Sequence, residues 1–467
     1  MTVTDAGREF GGVSSDQLAV GANAPDAWGK VPFAMTDTNF VPKERYLSRE
    51  FFEMEKSHLW PHTWQMAARL EEIPQPGDFV EYEIVGNSIL IVRQPDGSIK
   101  ALHNACRHRA TQLAKGCGSF PAGLIVCPFH GWRWNLDGSS SFVFVQSAFP
   151  PECMTSEDLH LRECLVEVWG GMVWINLDRG AQPLHEALWP VADLLDGVGV
   201  GDMRVKWWKQ VVLHANWKLV QEAFLEGYHV MQTHPQLLMG ADVDTAALQA
   251  LGTEYTAFRN GHGRFQSGVA EQTLESDAWD PESFIEFNRL LADGQDAMAI
   301  DRDIKVFQGV RHKADSSNFA SAALKALYDY SQGAGIPMAP YSSENMRLWG
   351  GEILMFPNYF MLPMYGNSLA YRMRPYEDDP EQCLFDVWSL TTYPKGDEPE
   401  RAELLGVFDK GDEEHWGLIP RQDFSNIERQ QRGLHSAGFE HHRLSPLFEK
   451  TILNLHQEVD RVIASRL

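Results

Sequence analysis

The sequence lacks long apolar runs and excess basic charge. No apolar run in its 467 residues approaches the twenty or so needed to span a bilayer. Forty Lys and Arg stand against 64 Asp and Glu, a formal net charge of −24. Nucleic acids and anionic membranes both select basic surfaces, so we expect neither as a partner. The first residues lack the basic and apolar segments of a signal peptide, so we expect a cytoplasmic protein.

Cysteine is also scarce. Six cysteines are too few for a disulfide framework in a chain of this length. Two of them, Cys106 and Cys127, belong to a metal-ligand pattern described below. We expect the other four to be reduced and buried: Cys117, Cys153, Cys164 and Cys383.

The sharpest motif combines cysteine with histidine. Cys106-Arg107-His108 is followed, after eighteen residues, by Cys127-Pro128-Phe129-His130. Two Cys and two His in this order are the ligand set of a Rieske [2Fe–2S] centre, in which thiolates hold one iron and neutral imidazoles hold the other. A structural zinc site is the alternative, and colour separates the two, since a zinc protein is colourless.

A second candidate metal site follows later in the chain. Glu222, Glu226 and His229 are spaced i, i+4 and i+7, so they would face the same way on one helix. His234 can join them only if the helix ends or distorts there, and Pro235 favours a break at that place. Two His and one carboxylate form the facial triad of a non-haem Fe(II) oxygenase, which leaves positions for O2 and substrate approach.

The third ligand of such a triad must come from elsewhere in the chain. Our candidate is Asp423, at the head of a helix predicted over 423–434. Glu428 is too far round that helix to replace it and is expected to make structural hydrogen bonds. The remaining histidines considered are expected to be packing, surface or solvated residues: His103, His214, His441 and His442.

The hydrophobic periodicity and the turn signals of the sequence divide the chain into three parts. Residues 1–59 predict an extended arm and a helix from Pro42, residues 60–178 a small all-β domain, and residues 179–467 a second domain. Residues 166–176 are expected to form one returning strand, and 180–201 a connector with one short helix. In the second domain we expect helical patches at 283–291 and 320–330, strands within 348–374 and 384–393, and helices over 423–434 and 446–464.

Taken together, these motifs resemble the large (α) subunit of the Rieske non-haem iron oxygenases, the aromatic-ring-hydroxylating dioxygenase family. The likeness runs from about Pro42 to the C-terminus and is densest in five segments: Cys106–Trp134, Asn216–Pro235, Phe356-Pro357-Asn358, Arg372–Pro375 and Gln422–Leu434. The resemblance implies an α+β fold, with a small all-β Rieske domain before a larger catalytic domain. That catalytic domain would have a curved antiparallel sheet flanked by helices, in a helix-grip-like arrangement.

The resemblance also implies roles for individual residues. One cluster iron would be bound by Cys106 and Cys127, the other by His108 and His130, and a mononuclear Fe(II) by His229, His234 and Asp423. Glu226 would be the bridging acid that joins His130 of one subunit to His229 of the next, where the family often has Asp. Thr111 and Phe129 stand where respiratory Rieske proteins have two extra cysteines, which indicates an oxygenase-type cluster.

One departure from the family concerns Ala223, since many members have Asn at this position. A weak outer-sphere role of that side chain near the iron would therefore be absent, while the iron ligands are unaffected.

The implied reaction is O2 activation at Fe(II), with electrons from an NAD(P)H-dependent reductase, with or without a ferredoxin. The resemblance implies a homotrimer (α3), or α3β3 with a small subunit. The apolar segments Leu237-Leu238-Met239 and Leu354-Met355-Phe356 favour an apolar aromatic or alicyclic substrate, as in aromatic hydrocarbon catabolism. Dihydroxylation, monohydroxylation and oxidative O- or N-demethylation all remain open. A Rieske-type electron carrier is the alternative from another class, but it leaves the residues after the β domain unexplained.

Overall fold

The computed structural model describes residues 25–238, 252–266, 280–311, 319–340 and 348–467, together with residues 12, 14, 17, 18 and 345. The chain separates into two compact units. The small unit comprises Trp60–Leu184 and Pro399–Glu403, and the large unit comprises the rest: Met1–Leu59, His185–Glu398 and Leu404–Leu467. In the described part of the chain, no helix is both long and apolar enough to cross a bilayer.

The small unit is built from three antiparallel sheets. Its core packs Phe79, Leu90 and Trp134 against the two cysteines of the first motif. The one α-helix described within it is the single turn Ser156–Leu159. Its strands are Gln65–Arg69, Asp78–Ile84, Asn87–Arg93, Ile99–His103, Cys117–Ser119, Leu124–Val126, Arg133–Asn135, Ser140–Phe142, Leu165–Trp169 and Met172–Asn176.

The large unit is organised around an eight-stranded sheet. In spatial order its strands are Glu254–Ala257, Gly263–Gln266, Glu352–Met355, Tyr359–Met364, Asn367–Tyr376, Asp379–Thr391, Arg204–Leu213 and Leu404–Val407. Neighbouring strands are antiparallel except for the last pair. A separate ribbon pairs Phe40–Pro42 with His441–Arg443. A mostly antiparallel sheet with helices in one unit, and an all-β arrangement in the other, give the α+β architecture that the resemblance implies.

The helices of the large unit pack on and around this sheet. Their bounds are Glu44–Leu47, Arg49–Met54, Val191–Gly197, Trp217–Glu222, Val230–Thr233, Pro281–Gln295, Asp301–Val310, Phe319–Gly333, Leu418–Leu434 and Lys450–Ala464. Ring contacts bring two of them to the same sheet face. Phe224, just after the helix Trp217–Glu222, lies 4.6 Å from Tyr371, and Phe424 lies 5.8 Å from Phe385.

Several local expectations are wrong in detail. Residues 166–176 form a hairpin, because Gly170 and Gly171 both adopt positive φ (63° and 73°) and reverse the chain. The segment after residue 180 contains two short helices, Leu184–Ala187 and Val191–Gly197. The helix Asp301–Val310 was not expected, although its buried residues Ile304 and Phe307 recur at helical spacing.

The four cysteines outside the metal-ligand motif divide evenly between core and surface. Cys164 and Cys383 are buried as expected, but Cys117 and Cys153 are exposed. Cys117 lies on a three-residue strand, and Cys153 ends a short 3-10 turn at the surface. The expectation that all four are buried is therefore wrong for these two, while none of the six cysteines forms a disulfide.

Candidate metal centres

The Cys and His residues of the first motif lie on two loops of the small unit. Cys106 and Cys127, which begin these loops, are 4% and 1% exposed. In each loop the N–H four residues later donates to the cysteine carbonyl: Ala110 to Cys106 at 2.9 Å, and Gly131 to Cys127 at 3.1 Å. Ala110 and Gly131 both have positive φ (59° and 70°), which turns the backbone back on itself. The two loops therefore have the same hydrogen-bond pattern and a positive φ at an equivalent position.

The two histidines of the motif meet at the loop tips. The Nδ1 atoms of His108 and His130 are 3.2 Å apart. Two imidazole nitrogens held about 2 Å from one tetrahedral metal ion lie roughly 3.3 Å apart, so this pair fits a single iron. Trp132 stacks on the His108 ring, with centroids 4.8 Å apart and planes at 12°, and so restricts its orientation.

Two backbone N–H groups are directed at the sulfur of Cys106. Burial and the neighbouring Cys127 raise the pKa of the Cys106 thiol overall, while hydrogen bonds from the backbone N–H groups of His108 and Arg109 partly offset that rise. Amide groups aimed at sulfur stabilise its charged form and tune iron–sulfur centres. The donor set of two buried cysteines and two facing imidazoles therefore fits the cluster that the motif predicts.

The second candidate centre lies in the large unit. Oδ1 of Asp423 lies 2.9 Å from Nε2 of His234. The same oxygen lies 3.7 Å from Nε2 of His229. The three potential ligand atoms lie within 4.8 Å of one another. Ligand atoms about 2 Å from one ion and at right angles are roughly 3 Å apart, so the cluster matches the spacing of a facial triad. The His234 and Asp423 side chains are nearly buried, whereas that of His229 is 25% exposed.

A break in the helix brings the two histidines together. The helix Val230–Thr233 ends before His234, whose φ of −123° and ψ of 56° are non-helical. The break therefore lies where Pro235 predicts it, since a residue before proline disfavours the α region. The change in direction turns His234 back toward His229, with ring centroids 5.3 Å apart.

The expected single helix face through Glu222, Glu226 and His229 is wrong. The preceding helix ends at Glu222, and the next begins only at Val230. Glu226 accepts the backbone N–H of His229 on Oε2 at 2.9 Å, a local bond that starts a new turn instead of continuing the old helix. Glu222 therefore does not reach the triad.

Each histidine of the triad is held from behind by a hydrogen-bond acceptor. Nδ1 of His229 lies 2.8 Å from Oε1 of Glu226, and Nδ1 of His234 lies 2.9 Å from Oε1 of Gln422. Both acceptors place the proton on Nδ1, which leaves the lone pair of Nε2 for a metal. Burial would lower the pKa of His229, but the hydrogen bond and charge of Glu226, followed by charges from Asp423 and Glu352, raise it overall.

Asp423 is supplied by the helix Leu418–Leu434. This helix begins five residues before the expected start at Asp423, because Pro420 lies within its first turn, where proline is tolerated. Asn426 on the same helix donates to Oγ1 of Thr233 at 3.2 Å, which ties the helix to the histidine segment. Glu428 accepts the backbone N–H of His214 at 3.1 Å and pairs with Lys410, the structural role expected for it.

A cavity of about 670 Å³ opens beside the triad. Its lining includes the ligands His229 and Asp423 and the carboxylates Glu222, Glu226 and Glu449. His442 also lines it, stacked on Tyr46 at 4.8 Å and 3.7 Å from Glu222. The expectation that His442 is solvated is therefore wrong, because the His441–Arg443 strand holds it against the cavity wall.

Behind this cavity lies a buried polar network. Tyr46 donates to Glu222 at 2.8 Å, and Nε2 of His456 lies 2.8 Å from the same carboxylate. Burial would raise the pKa of Glu222, but its interactions with His442 and His456 lower it to about 2. These contacts hold Glu222 as a structural anion.

Two family models match the chain. Residues 63–144 match the Rieske [2Fe-2S] domain, and residues 200–465 match the ring hydroxylating alpha subunit (catalytic domain). The chain belongs to the Rieske oxygenase α-subunit family. Its two domains are the kind that carry a Rieske cluster and a mononuclear iron that works with O2. The catalytic domain also accounts for the residues that an electron carrier alone leaves unexplained.

Curated relatives of this Rieske oxygenase are monooxygenase components. The carnitine monooxygenase oxygenase subunit of Acinetobacter pittii (strain PHEA-2) is 30% identical over 205 residues, 44% of this chain and 54% of the relative. The glycine betaine monooxygenase oxygenase subunit of Chromohalobacter salexigens is 31% identical over 201 residues, 42% of this chain and 44% of the relative. The matched part of the chain thus spans about half the length of these relatives.

Solved structures show the same fold at low identity. The quaternary ammonium Rieske monooxygenase CntA in complex with L-carnitine has a TM-score of 0.60 at 20% identity, covering 91% of this chain and 95% of the other. A naphthalene 1,2-dioxygenase mutant bound to phenanthrene has a TM-score of 0.64 at 19% identity, covering 94% and 95%. At this level of identity, the likeness establishes the fold alone.

Proposed function

We propose that this Rieske oxygenase is the terminal component of a monooxygenase that oxidises a quaternary ammonium compound. The observation that carries the proposal is the convergence of His229, His234 and Asp423, with Glu226 bonded to the back of His229. A two-His, one-carboxylate set leaves coordination positions free, as a site that must admit O2 beside a substrate requires.

The candidate metal ligands and their hydrogen-bond partners would have distinct roles in this reaction. Iron held by His229, His234 and Asp423 would supply O2 binding and activation. The cluster held by Cys106, His108, Cys127 and His130 would supply electrons one at a time. Glu226 fixes the tautomer and orientation of His229 through its bond to Nδ1. Gln422 does the same for His234.

Glu226 is also our candidate for the electron route. Both of its oxygens already contact His229, one at the ring and one at the backbone. Each carboxylate oxygen has a second lone pair, so Oε1 can accept a ring N–H from another imidazole. In a trimer, that ring would be His130 of a neighbouring subunit. An NAD(P)H-dependent reductase, with or without a ferredoxin, would supply the electrons, and the assembly would be α3 or α3β3.

The substrate class follows from the relatives. Two relatives of this chain are oxygenase subunits of carnitine monooxygenase and glycine betaine monooxygenase. Carnitine and glycine betaine both contain a quaternary nitrogen. The expectation of an apolar aromatic substrate, and of a role in aromatic hydrocarbon catabolism, has no support from these relatives. The oxidative demethylase alternative fits them better. Of the segments on which the apolar expectation rested, Leu237 and Leu238 are only half-buried, and Met239 lies outside the described residues.

The proposed reaction inserts one oxygen atom into a C–H bond next to the quaternary nitrogen. Two electrons and two protons reduce the second oxygen atom to water. The hydroxylated carbon then breaks its C–N bond, and an aldehyde and a tertiary amine leave. When the oxidised carbon is a methyl group, the outcome is N-demethylation with release of formaldehyde.

Turnover with matched substrates tests this proposal. The purified oxygenase, a surrogate reductase, NADH and O2 would be incubated with choline, glycine betaine, carnitine or naphthalene. We expect a tertiary amine and an aldehyde from at least one quaternary compound, no cis-diol from naphthalene, and no product with Asp423→Ala. A diol from naphthalene without amine release from any cation would contradict the proposed substrate class.

A further inference from the structure

Glu226, the candidate for the electron route, lies in a segment between two helices. The helix Trp217–Glu222 ends before it, and the helix Val230–Thr233 begins after it. Its side chain lines the cavity beside the triad and is 12% exposed, so it is accessible from that cavity. Because no helix includes Glu226, contacts from other parts of the fold must set the direction of its side chain.

The two peptide groups that flank Glu226 are each held by a buried hydroxyl. The carbonyl of Leu225, in the peptide group before Glu226, accepts the hydroxyl of Thr451 at 2.8 Å. The N–H of Gly227, in the peptide group after Glu226, donates to the hydroxyl oxygen of Tyr255 at 2.9 Å. Peptide groups are planar, so fixing both of them fixes φ and ψ of Glu226 and the direction in which its side chain leaves the backbone.

Thr451 is placed by the packing of the helix Lys450–Ala464 against the sheet. Its side chain is buried, and a Cβ atom at Gly263 would lie only 3.0 Å from its methyl carbon. The methyl group therefore packs directly against the backbone of Gly263. A β-branched side chain has few χ1 rotamers, so this packing leaves the hydroxyl directed at Leu225.

Tyr255 reaches Gly227 from the strand Glu254–Ala257. Its ring is 2% exposed and meets the ring of Phe448 edge-on, with centroids 6.3 Å apart. Phe448 in turn stacks on Tyr228, the residue after Gly227, at 5.0 Å. These ring contacts hold the Tyr255 hydroxyl beside the backbone that it binds.

The carboxylate of Glu226 is held at its other end as well. Oε1 lies 2.8 Å from Nδ1 of His229, and Oε2 accepts the backbone N–H of the same residue at 2.9 Å. The anchored backbone and these two bonds together define one placement of the carboxylate. Position matters at such a group, because a displacement of about 1 Å can cost on the order of 100-fold in rate.

We infer that Tyr255 and Thr451 are positioning residues that hold Glu226 in place for electron transfer between subunits. Among the described residues, neither hydroxyl bonds to a candidate metal ligand, so both act through the backbone of Glu226. This inference rests on the proposed function, and it assigns the placement of the electron route to two hydroxyl groups.

Hydrogen exchange tests the two anchors themselves. Tyr255→Phe and Thr451→Val each remove one hydroxyl and keep the shape of the side chain. Exchange would be followed by mass spectrometry of the holoenzyme, on peptides that cover residues 223–230. We expect exchange in this segment to become about tenfold faster in each variant, the effect of losing one hydrogen bond.

Thr392→Val is the matched control for these variants. It removes an equally buried hydroxyl, which donates to the Gly366 carbonyl at 3.2 Å. Exchange of residues 223–230 should therefore be the same in Thr392→Val as in wild type.

Flash photoreduction tests the electron route. A deazaflavin radical would give one electron to the cluster of enzyme whose mononuclear iron starts as Fe(III). Transfer of that electron reoxidises the cluster and gives Fe(II), without O2, reductase or substrate. We expect cluster reoxidation to slow by about tenfold or more in Tyr255→Phe and in Thr451→Val. Iron content and the cluster EPR signal should be unchanged, and Thr392→Val should match wild type.

A combination with Glu226→Gln separates positioning from a general structural effect. If the hydroxyls act through Glu226, adding Tyr255→Phe to Glu226→Gln should leave its slower transfer rate unchanged. Equal slowing by Tyr255→Phe in both backgrounds, or wild-type transfer in both hydroxyl variants, would overturn the inference. Wild-type transfer in Glu226→Gln itself would instead overturn the proposed electron route.

Discussion

Gln422 Oε1 lies 2.9 Å from Nδ1 of His234, and the next residue of the same helix, Asp423, lies 2.9 Å from Nε2 of that ring. Two successive residues thus hold opposite edges of one histidine. Gln236 also donates to Oε1 of Gln422 at 2.8 Å, which fixes the amide with its oxygen toward the ring. His234 therefore has its tautomer and orientation set before any metal binds.

Gln422→Met should weaken iron binding while leaving the fold intact. Methionine keeps the length of the side chain but removes the acceptor, so Nδ1 of His234 loses its partner. Loss of such a partner typically costs about 10- to 100-fold in metal affinity. Iron affinity would be measured by chelator competition. Gln430→Met, an exposed position on the same helix, is the matched control, and equal affinities in the two variants would contradict the role of Gln422.

Glu226→Gln should separate metal binding from electron delivery. The amide oxygen can still accept from Nδ1 of His229, so both metal sites should remain loaded. The amide cannot hold negative charge between two imidazoles, so coupled electron and proton transfer should fail. Cluster reduction and product formation would be followed in the same sample. A variant that keeps full turnover would refute Glu226 as the route.

Glu226→Asp is the conservative partner of that variant. It keeps the charge but shortens the reach by one methylene, so we expect reduced turnover with unchanged iron content. If the Asp and Gln variants are equally inactive, both the reach and the charge of this side chain are required at this position.

Stability should fall in mildly acidic solution because of two buried neutral histidines. His262 donates to the Ala187 carbonyl at 2.7 Å and accepts the N–H of Phe356 at 2.9 Å, so the neutral ring is fully bonded. Burial lowers the pKa of His262 to about 4, and that of His456 to about 4 as well. Unfolded histidine titrates near pH 6.5, so between these values the unfolded chain binds protons that the folded chain does not.

Above pH 6.5 these two histidines should not lower the free energy of unfolding. As the pH falls from 6.5 toward 4, the free energy of unfolding should decrease. Each histidine contributes a slope of about 1.4 kcal/mol per pH unit within that window. Urea unfolding at a series of pH values would measure it. His262→Gln should reduce the slope by about 1.4 kcal/mol per pH unit, the contribution of one histidine. The control His185→Gln changes an exposed histidine and should leave the slope unchanged. The same slope in both variants would contradict the assignment.

The sequence predicts that most of the candidate metal ligands lie close together, because their signals are local. Cys106 and His108, like His229 and His234, lie a few residues apart, and Pro235 marks the break that lets the second pair converge. Asp423 is distant in sequence, and its choice depended on the family resemblance. Its geometry now places it beside both histidines, and its role as a ligand remains a proposal.

Residues whose roles depend on tertiary register could not be found in this way. Glu352, for example, faces Phe265 only because its strand pairs with Gly263–Gln266, which lies about ninety residues earlier in the chain. Glu222 has helical spacing to Glu226, but the helix ends at Glu222, so that spacing does not place the two side chains on one helix face. Gln422 had one usable signal, its position next to the predicted ligand Asp423.

Iron content and cluster spectrum in wild type and Asp423→Ala test the central claim most directly. A Rieske cluster and a mononuclear iron together give about three irons per chain, and the cluster alone gives about two. We predict about three irons in wild type and about two in Asp423→Ala, with the same Rieske EPR signal in both. Equal iron content in the two proteins would contradict the assignment of the mononuclear site to His229, His234 and Asp423.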